Sequence, residues 1–290
     1  MPNVSAIISR PLSFSRKFMD HFATFLCGLA SLIVLIPLVA IFGYLIYRGG
    51  SGLSIDFFTK IPVPVGESGG GMANAIVGSL QVLFMASLWG VPVGIGAGVY
   101  LSEYGGGSLA TFVRFISDVL NGIPSIVIGI AAYSLFVLPF KHFSAFSGAM
   151  ALGMMMVPTI ARTTEEMLLM VPRALREAAL GLGIPKWRTT LRITIPTAKS
   201  GIITGVMLAF ARVAGETAPL LFTSFGNSFW NMDPRQPTAA LPLQIFIYAI
   251  SPYEEWHNKA WTGALVLVGI ITVTISLVRF VTSRTRLNRA

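Results

Sequence analysis

Six stretches of about twenty residues run through this chain with almost no Asp, Glu, Lys or Arg, and they limit its fold more tightly than anything else in the sequence. They cover residues 22–47, 72–101, 119–140, 143–161, 201–225 and 260–278, and only the fifth carries charges, Arg212 and Glu216. A helix needs roughly 20 apolar residues to cross the hydrocarbon core of a bilayer. Inside lipid every backbone N–H and C=O must be satisfied within the protein, so each stretch predicts a helix. Composition agrees: 54% of residues are hydrophobic and 11% are charged, whereas soluble domains run near a quarter charged. The expected fold is all-α and polytopic, with six transmembrane helices and both termini on one side. The first stretch is too long for a signal-peptide core and lacks a small-residue cleavage site, so it is expected to remain as an anchor. The expected divisions are 1–71 (tail, first span and external loop), 72–283 (the remaining spans) and 284–290 (a C-terminal tail).

The net charge of +9 does not point to nucleic acid, because the cations collect between apolar runs rather than in an aromatic-interleaved patch. Placing both termini inside puts fifteen Lys and Arg on the inner side, from Arg10 to Arg289. Five lie outside, namely Arg48, Lys60, Lys141, Arg235 and Lys259. That asymmetry sets the expected orientation, with cytoplasmic termini. Cys27 stands alone inside the first span, which excludes an internal disulfide and a cysteine metal site. His21, His142 and His257 fall at separate span edges and read as interface residues. No Ser/His/Asp, Cys/His or clustered metal-ligand set supports an enzyme.

Gly90, Gly94 and Gly98 recur every four residues and predict a helix face that a neighbour can approach closely. Pro37, Pro92, Pro124 and Pro158 each remove a backbone donor within a span, and predict kinks in a bundle around a path. Asp118 and Asn121 are expected to cap or pair locally.

Residues 171–196 form the longest basic connection between spans. Pro172 opens a helix over 173–180, Gly181 and Gly183 end it, and a second short helix starts after Pro185 and stops by Pro196. Ala174, Ala178 and Leu182 share one face of the first helix, with Arg173, Arg176 and Glu177 largely on others. Glu177-Ala178-Ala179, then Gly183, then Ile193-x-Ile195-Pro196 resembles the EAA signature of ABC-importer permeases. Ile195 stands where that signature usually has Leu. The resemblance implies a type I ABC importer (MetI-like) permease fold over residues 72–283. It also implies that Glu177, Ala178, Ala179, Gly183 and Pro185 couple to an ATPase. The chain has no G-x-x-x-x-G-K-[ST] loop, so it is expected to bind no cofactor itself, with ATP and Mg on the partner.

Charges within a span usually face a cavity and mark function. On a continuous helix Arg212 and Glu216, four residues apart, share one face. One reading is a mutually neutralising pair that fixes packing. The other is an oxyanion site gripped by the Arg212 guanidinium fork. Glu216 would there accept a hydrogen bond from the proton of hydrogen phosphate and disfavour sulfate, which has none to give. Arg162, followed by Thr163, offers a cation and hydroxyls near the inner end of the path, or is an ordinary inner-side anchor.

Further segments extend the resemblance: 69–78 (GGGMANAIVG), 101–105 (LSEYG), 161–168 (ARTTEEML) and 211–220 (ARVAGETAPL). They are similar to the phosphate-specific permeases of the Pst system, PstA type. That resemblance implies a PstC-type permease partner, a dimer of PstB-type ATPases, an extracytoplasmic phosphate-binding protein and a bacterial inner membrane. The expected substrate path runs past Arg162, Thr163, Arg212, Glu216 and Thr217. The alternatives are a permease for sulfate, phosphonate or another oxyanion, and a passive anion channel or secondary carrier.

Overall fold

The computed structural model describes residues 14–67 and 69–287. Arg10 and Arg289 of the charge tally lie outside the described residues, as do 1–13 and 288–290 of the expected tails. The described chain is helical, apart from one isolated bridge between Phe225 and Thr238. It divides into two compact units, residues 1–48 and 49–290. Nearly all of the first unit's described part is one helix, α1 (Phe14–Gly50), with Pro37 inside it and apolar side chains exposed along it.

The second unit holds α2 (Ile55–Thr59), α3 (Ala73–Glu103), α4 (Ser108–Gly122), α5 (Ser125–Phe140), α6 (Ala145–Leu169), α7 (Arg173–Gly181), α8 (Lys186–Ala214), α9 (Ala218–Thr223), α10 (Leu241–Ala249) and α11 (Glu254–Leu287). Five helices, α1, α3, α6, α8 and α11, are each long and apolar enough to cross a membrane. Taken as one broken span, α4 and α5 bring the number to six.

The core is α3 against α6, with α8 packed mainly on α6 and also touching α3. The glycine ladder sets how close α3 comes. A Cβ on Gly94 would sit 2.7 Å from the Ile160 Cβ, and Gly98 faces Thr164 in the same way. On the opposite helix Gly153 makes room for the Trp89 indole. In lipid, where burying apolar surface gives no drive between helices, such close packing is what holds them together. Val82, Ala86, Leu152, Met156, Ile160, Ala209 and Val213 fill the space around it. Of the five long helices, α6 is the most buried. Gly94→Leu is expected to cost about 1–3 kcal/mol through overpacking, seen as a lower unfolding midpoint of the detergent-solubilised protein.

Two of the expected spans are broken, the first of them beside Pro124, one of the expected kinks. The stretch 119–140 contains the junction between α4 and α5, which meet at 109°. Pro124 disfavours helical backbone at the residue before it, and Ile123 accordingly turns to φ −73°, ψ 135°. The stretch 201–225 breaks after Ala214. A continuous helix would need a bond from residue 219 to the Gly215 carbonyl, and Pro219 has no N–H to give. The chain leaves the helix over Gly215, Glu216 and Thr217 and resumes as α9. The second short helix of the basic loop, conversely, does not stop at Pro196. It runs on into α8 through a π-helical turn, Thr190–Thr194, in which Ile195 N donates to Thr190 O. The extra residue of the π turn carries the helix past a proline that cannot donate.

The loop after α9 caps one end of the bundle. The N–H groups of Ser144, Ala145 and Phe146, at the start of α6, donate to the carbonyls of Thr223, Gln236 and Pro234. The Asn74 amide reaches Asn227 O at 2.7 Å, and the Phe143 and Phe225 rings stack at 4.6 Å.

Candidate functional site: the helix break and the basic loop

Gly215 and Pro219 together create a local opening of the backbone, and three of the expected path residues gather there. Arg212 lies in the last turn of α8, exposed, while Glu216 and Thr217 occupy the break, each half-buried. Arg212 and Glu216 therefore do not share a helical face, and no ion pair joins them among the described residues. The Arg212 side chain has no hydrogen-bond or ion-pair partner within the described chain. Thr217 Oγ1 reaches Pro242 O at 3.5 Å. The break is held from behind by α5, where Gly129 lets the Pro219 Cα approach. Buried Pro219 and Leu220 fix α9 there.

Arg162 and Thr163 lie at another level. Thr163 donates to Thr159 O at 2.9 Å and packs against Gly205 of α8. Gly205 is seven residues before Arg212, about 10 Å along the helix. Arg162 lies 3.5 Å from Glu165 and 3.2 Å from Glu166. Glu165, 2% exposed, also takes a 2.7 Å bond from Arg114 Nε, and Arg114 Nη2 donates to Leu101 O at 2.9 Å. Arg114 is thus a tie between α4, α6 and the end of α3. Asn121 accepts from Thr159, 38 residues away, at 2.9 Å, so its pairing is not local.

The basic loop folds as two helices with a glycine turn between them. Gly183 has φ +77°. Ile184 N donates to Ala179 O and Gly183 N to Leu180 O, the paired bonds that close a helix on a left-handed residue. Pro185 caps the next helix, its carbonyl accepting from Arg188 and Thr189 N. The buried face of α7 carries Ala179, 3% exposed, not Ala174, Ala178 and Leu182, which all face outward with Glu177. Leu175, Leu180 and Trp187 are also exposed, so the outward surface sets small and apolar side chains among the exposed charges of Arg173, Glu177 and Arg188.

Arg176 anchors this surface. Its Nη2 lies 2.8 Å from Glu103 Oε1 and also donates to Leu168 O, while Nη1 donates to Val171 O, both at 2.7 Å. Lys186 adds a bond to the Glu103 carbonyl and lies 4.7 Å above the Tyr104 ring. Sequence reasoning gave Glu103 and Arg114 no role here. The available signal was the carboxylate at the end of one span and the Glu165-Glu166 pair within another helix, each of which needs a cation.

A bundle of spanning helices that carries an arginine at a helix break, without a partner among the described residues, and presents a basic, glycine-turned loop has the build of an importer's membrane subunit. The profile of the family described as "Binding-protein-dependent transport system inner membrane component" matches residues 90–287. The Phosphate transport system permease protein PstA of Yersinia pestis is 48% identical over 235 residues, covering 81% of this chain and 80% of that one. PstA 1 of Mycobacterium tuberculosis (strain ATCC 25618 / H37Rv) is 37% identical over 293 residues, covering 98% of this chain and 94% of that one. Among solved structures, an inward-facing MetNI methionine ABC transporter shares the fold. Its TM-score is 0.57 at 18% identity, and the match covers 74% of this chain and 95% of that one. The chain belongs to the binding-protein-dependent transport system inner membrane component family, and within it to the phosphate transport system permeases. It is a transport subunit of a multi-pass membrane protein class, not itself a catalyst.

Proposed function

We propose that this permease carries inorganic phosphate into the cell, driven by ATP hydrolysed on a separate subunit, and that phosphate passes Arg212. The observation that carries this reading is the exposed Arg212 guanidinium at a break in a spanning helix, without a hydrogen-bond or ion-pair partner among the described residues. An unpaired cation there costs about 2.5–3.5 kcal/mol on insertion scales, so it faces a cavity rather than lipid. Its planar fork matches two oxygens of a tetrahedral anion. Thr217 stands beside it, and Arg162 and Thr163 continue the path about 10 Å further toward the cytoplasm.

The outward face of the basic loop, with Glu177, Ala178, Gly183 and Pro185, seats in an ATPase dimer of the PstB type, where ATP and Mg are bound. Buried Ala179 sets how closely α7 lies on the bundle behind it. A PstC-type permease forms the other half of the pathway, and an extracytoplasmic phosphate-binding protein delivers the ion. Both termini are cytoplasmic, as the cation asymmetry favours.

Glu216 gives selectivity: a carboxylate can accept a hydrogen bond from the O–H of hydrogen phosphate but repels sulfate, which has no proton to donate. Glu216→Gln is expected to lower the ratio of phosphate to sulfate uptake by about tenfold or more, and an unchanged ratio sinks this role. The mechanism itself is tested by radiolabelled phosphate uptake into proteoliposomes holding the full complex. Uptake stops when the ATPase is replaced by a hydrolysis-dead variant. Uptake that continues would make the chain part of a passive channel or carrier.

A further inference from the structure

A second cationic site lies between the middle of α8 and α11, roughly 8–18 Å along α8 from Arg212. The two helices part around a crevice of about 380 Å³. Ile203, Met207 and Ile275 supply an apolar floor, and Arg279, Thr204 and Thr282 line it as well. The Arg279 guanidinium is exposed and has no hydrogen-bond or ion-pair partner among the described residues.

The level of this crevice in the membrane follows from two separate helices. On α11 the apolar run 260–278 is about 28 Å long, close to the roughly 30 Å of a bilayer core, and Arg279 is the first charge after it. On α8 Lys199 is the last charge before the uncharged run that ends at Arg212. Both boundaries fall at the same crevice, which therefore sits where the hydrocarbon gives way to headgroups. An arginine at that depth extends its charge to the interface while its stem stays among apolar groups.

We infer that this crevice binds an anionic phospholipid with a hydroxylated headgroup, of the phosphatidylglycerol class. The Arg279 fork pairs with the phosphodiester, as basic pockets between spanning helices do. Thr204 and Thr282 already donate their hydroxyl protons to Ser200 O and Val278 O, at 2.8 and 2.7 Å. Their oxygens are left as acceptors, which suits headgroup hydroxyls that donate. Ile203, Met207 and Ile275 take the first part of an acyl chain. Free phosphate would leave that floor unused, which favours the lipid as occupant. The inference requires only that α8 and α11 cross a membrane, and is independent of what the permease carries.

The test is native mass spectrometry of the intact transporter complex, delipidated in detergent and titrated with phosphatidylglycerol or phosphatidylcholine. The wild-type complex is expected to retain phosphatidylglycerol in preference to phosphatidylcholine. Arg279→Gln weakens that retention about fivefold, the effect of roughly one interfacial cation. Arg279→Lys keeps most of it. Met207→Trp fills the floor and lowers retention without changing charge, and it decides the matter if the Arg279→Gln complex does not assemble. Equal retention of the two lipids, or equal phosphatidylglycerol binding by wild type, Arg279→Gln and Met207→Trp, overturns the inference. Displacement of the lipid by millimolar inorganic phosphate also overturns it, and assigns the crevice to the free ion.

Discussion

Arg212→Gln is expected to reduce ATP-driven phosphate uptake by reconstituted complex about a hundredfold while the subunits still co-purify. Hydrogen bonds to a charged group are worth roughly 1.5–3 kcal/mol each. Losing both arms of a guanidinium fork therefore removes about 3 kcal/mol or more, and each 1.4 kcal/mol is a factor of ten. Folding should not suffer, because Arg212 is exposed and pairs with nothing among the described residues. Arg212→Lys separates charge from geometry. It keeps the cation but loses the planar fork, so uptake falls between wild type and Arg212→Gln. Uptake by Arg212→Gln within twofold of wild type would remove phosphate from this site and leave the fold and the family untouched.

The contrast between Arg212 and the other buried-side arginines shows what local sequence can carry. Spans were legible because a run of apolar residues is its own evidence of helix in lipid. The glycine ladder of α3 was legible for the same reason, since a small-residue face predicts a close neighbour without naming it. The α8 break was also within reach, because Gly215 and Pro219 are four residues apart and the missing donor is a local fact. An apolar run alone hides it, however, and the run predicted a helix straight through. What sequence could not supply was partner choice. Arg176 meets Glu103 from 73 residues away and Arg114 meets Glu165 from 51. Nothing local tells these tied arginines from Arg212, which has no partner among the described residues. The buried face of α7 was likewise out of reach. Ala178 and Ala179 are chemically identical neighbours, and only packing against the rest of the bundle decides that Ala179 is the buried one.

The Arg176–Glu103 tie leads to the second large effect. Glu103 is the last residue of α3, and Arg176 binds its carboxylate together with the carbonyls of Leu168, at the end of α6, and Val171. A force on α7 is thus delivered to the ends of the two helices that form the core. Both side chains are largely enclosed, 19% exposed for Arg176 and 5% for Glu103. Removing one partner from a buried pair costs about 3–5 kcal/mol, because the other charge is stranded. Glu103→Gln is expected to lower unfolding stability by an amount in that range. It is also expected to cut phosphate moved per ATP hydrolysed several-fold, since the loop can then shift without α3. The apolar surface at Leu182 and Trp187 is unchanged, so the ATPase should still co-purify. Unfolding stability and transport per ATP both at wild-type values would show that the loop acts on the bundle by another route.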